Sequence, residues 1–167
     1  MKIASRFGLV ALQLAFGLTL VHHAALAADE DKFLGTWTLN AAQSKAPGGA
    51  LPTSATVVVS KAGSGMYKSV SDTTMAGISG HSEITFATDG KDYTPVVTPT
   101  PPGGSPSISQ SFERVSASSY KGSIKMNGQV IATTVNEVSA DGKTFTITTT
   151  GVGPAAGVVA AMVFDRK

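Results

Sequence analysis

The stretch Phe33-Leu34-Gly35-Thr36-Trp37-Thr38-Leu39-Asn40 holds the only Trp of a 167-residue chain. It reads as the first strand of the folded domain, over Lys32 to Asn40. Trp37 stands near the start of that strand, where a large ring covers the closed end of whatever the strands enclose. Gly35, with no side chain, lets the strand bend or lets the ring lie across it. Gly35 and Trp37 are therefore read as structural, barrel-closing residues.

Downstream, no segment keeps a convincing helical period. The best candidate, Ala155 to Ala161, is weakened by Gly157 and by Val158-Val159. Short runs rich in β-branched residues and punctuated by Gly and Pro predict strands instead. They fall at Thr53 to Ser60, Met66 to Ser71, His81 to Thr88, Lys91 to Val97 (limited by Pro95) and Ser107 to Val115. More follow at Ser119 to Met126, Gln129 to Val138, Lys143 to Thr150 and Val158 to Asp165. Ala41 to Leu51 reads as a loop, and Asp72 to Gly80 as a wide turn or bulge. Asp89-Gly90, Asn127-Gly128 and Asp141-Gly142 are tight-turn signals, since the two central residues of such a turn need positive φ. Thr98 to Pro106 holds four prolines and two glycines and cannot be a central strand.

About eight to ten short strands joined mostly by tight turns predict an all-β, antiparallel up-and-down barrel, because closure removes the two bare edges of an open meander. The alternative architecture is a two-sheet β-sandwich.

Upstream of the first strand lies a different kind of sequence. Lys2 and Arg6 precede an apolar run, Phe7 to Leu20, and Ala25-Leu26-Ala27 supplies a small-x-small pattern. This is the layout of a secretory signal peptide over residues 1–27, and the run of about 14 residues is short for a membrane span. The remaining 28–167 form the β-barrel domain, and the protein is expected in the periplasm or outside the cell. Lys2 and Arg6 are two of thirteen Lys and Arg residues, so eleven remain against eleven Asp and Glu. A neutral domain offers no basic surface for nucleic acid or anionic membrane. Zero Cys excludes disulfides and thiolate chemistry.

The residues offer little catalytic chemistry. His81 is the one histidine left after the leader, and by alternation it shares a strand face with Glu83 rather than with Ser82. No nucleophile elbow is present, one His without Cys rules out the usual zinc sets, and no cofactor motif appears. Glu83, Glu113 and Glu137 read as outward-facing residues, and Asp29-Glu30-Asp31 as a solvated tail. No catalytic or metal-ligating residue is assigned and no enzyme activity is expected. The strand carrying Ile108, Gln110, Phe112 and Arg114 on one face is the best candidate for a pocket wall. With Phe86 and Met126, the residues Ile108, Phe112 and Arg114 form the candidate ligand-binding set, Arg114 offering a guanidinium to a ligand carboxylate.

Phe33-x-Gly35-x-Trp37 at the head of an up-and-down barrel resembles the opening signature of lipocalins and intracellular fatty-acid-binding proteins, the calycin group. The longer string Leu34-Gly35-Thr36-Trp37-Thr38-Leu39-Asn40, then Ser44-Lys45, is similar to a set of small exported bacterial proteins of uncharacterised function. Asp89-Gly90-Lys91-Asp92-Tyr93 and Ser139-Ala140-Asp141-Gly142-Lys143-Thr144 extend that likeness. The resemblance implies a lipocalin-like barrel. The helix pair that lids the fatty-acid-binding barrel has no counterpart in Ala41 to Leu51, which is too short and too rich in Gly and Pro.

The expected function is to bind or carry a small apolar or amphipathic ligand, without nucleic acid as a partner and with no membrane span after leader removal. The alternative is an envelope or extracellular interaction module with a filled barrel and no ligand. A void of several hundred Å3 favours the first; a barrel packed solid by Phe86, Phe112, Phe145, Ile147 and Met126 favours the second.

Overall fold

The computed structural model describes residues 31–47, 49–99 and 106–167. The expected leader and most of the Pro/Gly loop, residues 100–105, lie outside the described residues. Among the described residues, eleven strands form one antiparallel sheet: β1 (Gly35–Leu39), β2 (Ser54–Lys61), β3 (Tyr67–Met75), β4 (Ile78–Phe86), β5 (Asp89–Tyr93), β6 (Val96–Thr98), β7 (Ile108–Ser116), β8 (Ser119–Met126), β9 (Gln129–Val138), β10 (Thr144–Gly151) and β11 (Val159–Arg166). The sheet order is β5-β7-β8-β9-β10-β11-β1-β2-β3-β4-β6, curled into a lipocalin-like barrel. It is a single sheet, so the sandwich alternative does not hold. No helix among the described residues is long and apolar enough to cross a membrane.

The barrel closes through an interrupted strand rather than a continuous ladder. Residues 89–98 pair first with β7 (Tyr93 opposite Gln110) and then with β4 (Val96 opposite Glu83). Pro95 stands at the switch, where a residue without an N–H costs the ladder nothing. The tight turn expected at Asp89-Gly90 is therefore not a hairpin. Gly90 keeps its positive φ of 80°, but within a bulged pairing of β5 on β7 rather than a turn back onto β4.

One other expectation fails for a local reason. Asp72 to Gly80 is no wide turn, because β3 runs on to Met75 and β4 begins at Ile78. Ala76 and Gly77 make the two-residue turn at φ 50° and 79°. Ala at the first position, in place of Asn or Asp, conceals the turn in the sequence. The weak helical candidate Ala155 to Ala161 is not a helix: a short 3-10 turn (Gly153–Ala155) precedes β11, which falls where the strand Val158 to Asp165 is expected. Asn127 and Gly128 do form the tight β8–β9 turn, at φ 50° and 80°. The connection at Asp141-Gly142 spans all of residues 139–143 and is closed by Ser139 N–H donating to Thr144 O at 2.9 Å.

β1 is too short to cover β11, and the Ser44-Lys45 pair continues its work. Val163 N–H donates to Ser44 Oγ at 2.9 Å, Ser44 Oγ donates to Asn40 O at 2.8 Å, and Lys45 exchanges backbone bonds with Ala161. A buried hydroxyl thus replaces ladder partners that β11 would otherwise lack.

The two ends of the barrel differ in packing. At one end Trp37, Phe33, Phe145 and Phe164 are the largest fully buried side chains. Trp37 lies 5.4 Å from Phe145, and Phe33 lies 4.5 Å from Tyr120, centroid to centroid. Trp37 Nε1–H donates to Phe33 O at 3.0 Å, which satisfies the indole's one polar group. Phe86 of β4 and Phe112 of β7 meet across the barrel seam at 4.1 Å. At the other end, where Ala76-Gly77 joins β3 to β4 and Asn127-Gly128 joins β8 to β9, the interior is open.

Candidate functional site

Alternation along the strands sends Ala55, Val57 and Val59 of β2 inward, with Phe145 and Ile147 of β10 and Met162 and Phe164 of β11. Toward the open end these side chains become too small to meet across the barrel. Two voids result. The outer one, about 340 Å3, lies between β2, β3, β10 and β11 and is bounded by Leu51 and Pro52 of the loop after β1. The inner one, about 200 Å3, reaches toward Phe86, Phe112 and Tyr120 and has Gln110 and Asn136 in its wall. Val57, Ile147, Thr149 and Met162 line both, so they are two chambers of one interior. Met75 lines the outer chamber and is 42% exposed, which marks the mouth.

Among the described residues, no side chain lining either chamber is ionisable except the phenol of Tyr120, which burial holds well above its ordinary pKa and therefore neutral. The chambers offer aliphatic and aromatic surface, hydroxyls and two carboxamides. Asn136, buried, donates from Nδ2 to Thr134 Oγ1 at 3.3 Å.

The structure distributes the five sequence-selected ligand residues over three places. Phe86 and Phe112 wall the inner chamber. Ile108 and Met126 face one another across β7 and β8 at the open rim, outside both chambers, Met126 being 37% exposed. Arg114 sits at the packed end. Its Nη2 donates to Asp31 Oδ2 at 3.0 Å and to Tyr67 Oη at 2.7 Å. Tyr67 donates to the same carboxylate oxygen, and Phe33 N–H donates to Asp31 Oδ1 at 3.2 Å. The guanidinium also lies 5.3 Å from the Phe33 ring centroid. The space enclosed by Arg114, Tyr67, Phe86 and Tyr120 is too small for water. Arg114 is therefore an internal partner, and Asp31, read from the sequence as part of a solvated tail, is its counter-ion with only 16% of its side chain exposed. Burial pushes the Asp31 carboxyl up, but the bonds from Tyr67 and Phe33 and the Arg114 charge outweigh it and hold the pKa below the usual carboxylate range. Burial and the bond to Asp31 push the Tyr67 phenol up.

Gly35 and Trp37 stand at the packed end, together with Arg166. Gly35 has φ 129°, and a Cβ there would come within 2.7 Å of Arg166 Nη1. It is the Arg166 guanidinium that occupies the space, 4.2 Å from the Trp37 ring centroid.

His81 is on the outer surface. Its Nδ1 lies 2.7 Å from Asp72 Oδ1, and its Nε2 lies 3.5 Å from Glu83, which pairs with Lys68 at 2.8 Å. The bond to Asp72 raises the imidazole pKa. These are solvated pairs on one sheet face. Among the described residues no group of three or more His, Asp or Glu is placed to hold a metal.

Val57, Ile147, Thr149 and Met162 were not selected from the sequence. Alternation in β10 and β11 does put Ile147 and Met162 on definite faces. Which strands lie opposite one another, and so where the barrel is hollow, depends on register and curvature.

A curled antiparallel sheet with one packed end and an open, apolar interior defines a lipocalin-like β-barrel. Solved structures share it. A mutant of the fluorescent protein UnaG superposes with a TM-score of 0.56 at 17% identity, over 81% of this chain and 96% of that one. Wild-type UnaG gives 0.55 at 15% identity, over 81% and 98%. A Schistosoma mansoni fatty acid binding protein in complex with arachidonic acid gives 0.54 at 16% identity, over 81% and 96%. At these identities the likeness is one of fold. No family model matches the chain, and no curated protein matches it in sequence.

Proposed function

We propose that the protein is exported and carries a small apolar or amphipathic molecule in the open half of its barrel, without catalysing a reaction on it. The observation that supports this reading best is the pair of connected chambers, about 340 and 200 Å3, bordered by Val57, Ile147 and Met162. That volume suits a small ligand. The packed half of the barrel, with Phe86, Phe112 and Phe145, does not extend to the mouth, which weighs against the filled interaction module. The fold likeness to a fatty acid binding protein agrees with carriage. Export rests on the leader-like residues 1–27 and on the similarity of the Gly35-Thr36-Trp37 start to small exported bacterial proteins. On this reading 28–167 is the working domain, in the periplasm or outside the cell.

Native mass spectrometry on protein purified without denaturation tests carriage. A co-purified apolar molecule released by organic extraction is the expected result. An extracted protein that fails to take up Nile red, an uncharged apolar dye, would overturn it. Mass analysis of the N-terminus after expression of the full chain in a secreting host tests export, with cleavage after Ala27 expected.

A further inference from the structure

Resting on the carriage reading, we infer that the ligand's polar group is uncharged: the interior takes an alcohol, ester or amide head in preference to a carboxylate. A carboxylate buried in an apolar cavity needs a cation or several donors converging on it, and without them it keeps its proton or stays in water. The chamber walls described above supply no Lys, Arg or His. Arg114, which faces the barrel interior from β7, is committed elsewhere. Asp31 neutralises it, Tyr67 accepts from it, and the space between it and the rings of Phe86 and Tyr120 is too small for water. Phe86 and Tyr120 line both that narrow space and the inner chamber, so their rings stand between the two. Arg166, the other arginine of the folded domain, spends Nε, Nη1 and Nη2 on the carbonyls of Gly142, Leu34 and Lys32 at 2.6–2.7 Å.

The inner chamber has neutral polar groups in place of charge. Gln110 and Asn136 are carboxamides with both donors and acceptors, and Thr134 and Ser69 add hydroxyls. Such a set pairs with a hydroxyl, an ester carbonyl or an amide, each of which loses far less hydration on burial than an anion does. The aliphatic part of the ligand would fill the outer chamber along Val57, Ile147 and Met162.

Decanol, decanamide and decanoic acid share one chain and differ in the head. Their affinities for the delipidated protein are measured by displacement of Nile red between about pH 5 and about pH 8, spanning the range above the carboxylate pKa. Decanol and decanamide are expected to bind with affinities that do not change with pH. Decanoate is expected to bind at least about tenfold more weakly at the upper pH, and to gain about tenfold per unit as pH falls toward its own pKa, because only the protonated acid enters. Decanoate binding as tightly as decanol at the upper pH would overturn the inference and leave carriage standing. Failure of all three to displace the dye, with no dye taken up, would overturn carriage itself. Gln110→Lys, confirmed as folded by near-UV circular dichroism, puts a cation in the inner wall and should swing the preference toward decanoate by about tenfold or more. A folded variant with unchanged preference would overturn the assignment of selectivity to the missing charge.

Discussion

The Arg166 guanidinium lies on the face of Trp37, 4.2 Å from the ring centroid, in the space that a side chain at position 35 would take. Three carbonyls hold the same guanidinium from its edge. The last strand is thereby tied to the first at the packed end, and the residue that allows it is a glycine 131 positions earlier in the chain. Gly35→Ala is expected to destabilise the protein by about 2 kcal/mol or more, since it adds both a clash with Nη1 and a side chain at a strained positive φ. Urea denaturation followed through Trp37 fluorescence measures this, and a change below about 0.5 kcal/mol would show that Arg166 moves aside freely.

Asp31 supplies the pH dependence. Its carboxyl has a folded pKa below the unfolded value, so its contribution is fully present above the unfolded pKa. That contribution is lost as pH falls through the folded one. The wild-type protein should therefore lose stability below about pH 4, the ordinary Asp range. Asp31→Asn should cost about 1–3 kcal/mol near neutrality, because it removes the charge that neutralises Arg114 and leaves one acceptor oxygen where the carboxylate offers two. The two proteins should converge in acid. Parallel stability curves down to about pH 2 would assign the acid sensitivity to another carboxylate.

Ile147 and Thr149 line both chambers, so enlarging either blocks the passage between them. Ile147→Trp and Thr149→Leu are each expected to weaken uptake of an apolar dye by about tenfold or more. They should cost at most about 1–3 kcal/mol, the range for overpacking, because the added atoms enter existing space. Fluorescence titration together with thermal melting checks both quantities. Undiminished uptake would place the ligand outside these chambers.

Gly122 of β8 lies opposite Phe112 and is not among the glycines of positive φ, yet a Cβ there would sit 2.0 Å from Ser111 O. Gly122→Ala is expected to cost about 2–4 kcal/mol, because β7 and β8 would have to separate where they exchange hydrogen bonds. Amide hydrogen exchange should show faster opening of β7 and β8 than of β10 and β11. Uniform protection would mean that the ladder absorbs the side chain.

The strand pattern was legible wherever alternation and turn chemistry agreed. Asn127-Gly128 marked one hairpin, and the strands on either side of it, Ser119–Met126 and Gln129–Val138, occur at the bounds that the pattern implied. It was illegible where a turn used Ala76, and where Asp89-Gly90 served a bulge instead of a hairpin. That Trp37 is a core residue could be read from its place in the first strand. The partners of Arg114 could not, because Asp31 is 83 positions away and looked like part of an acidic tail.

The sequence by itself determined an antiparallel all-β chain, its approximate strands, and which residues alternate onto a common face. Those properties follow from local chemistry: β-branched runs, residues tolerant of positive φ, and the two-residue period of a strand. The tertiary structure alone decided which faces meet. Register and curvature place Arg114 among Phe33, Tyr67 and Asp31 in the packed end, and bring Val57, Ile147, Thr149 and Met162 around a space that none of them fills. A cavity is a property of distances between strands remote in the chain, and no local pattern encodes it.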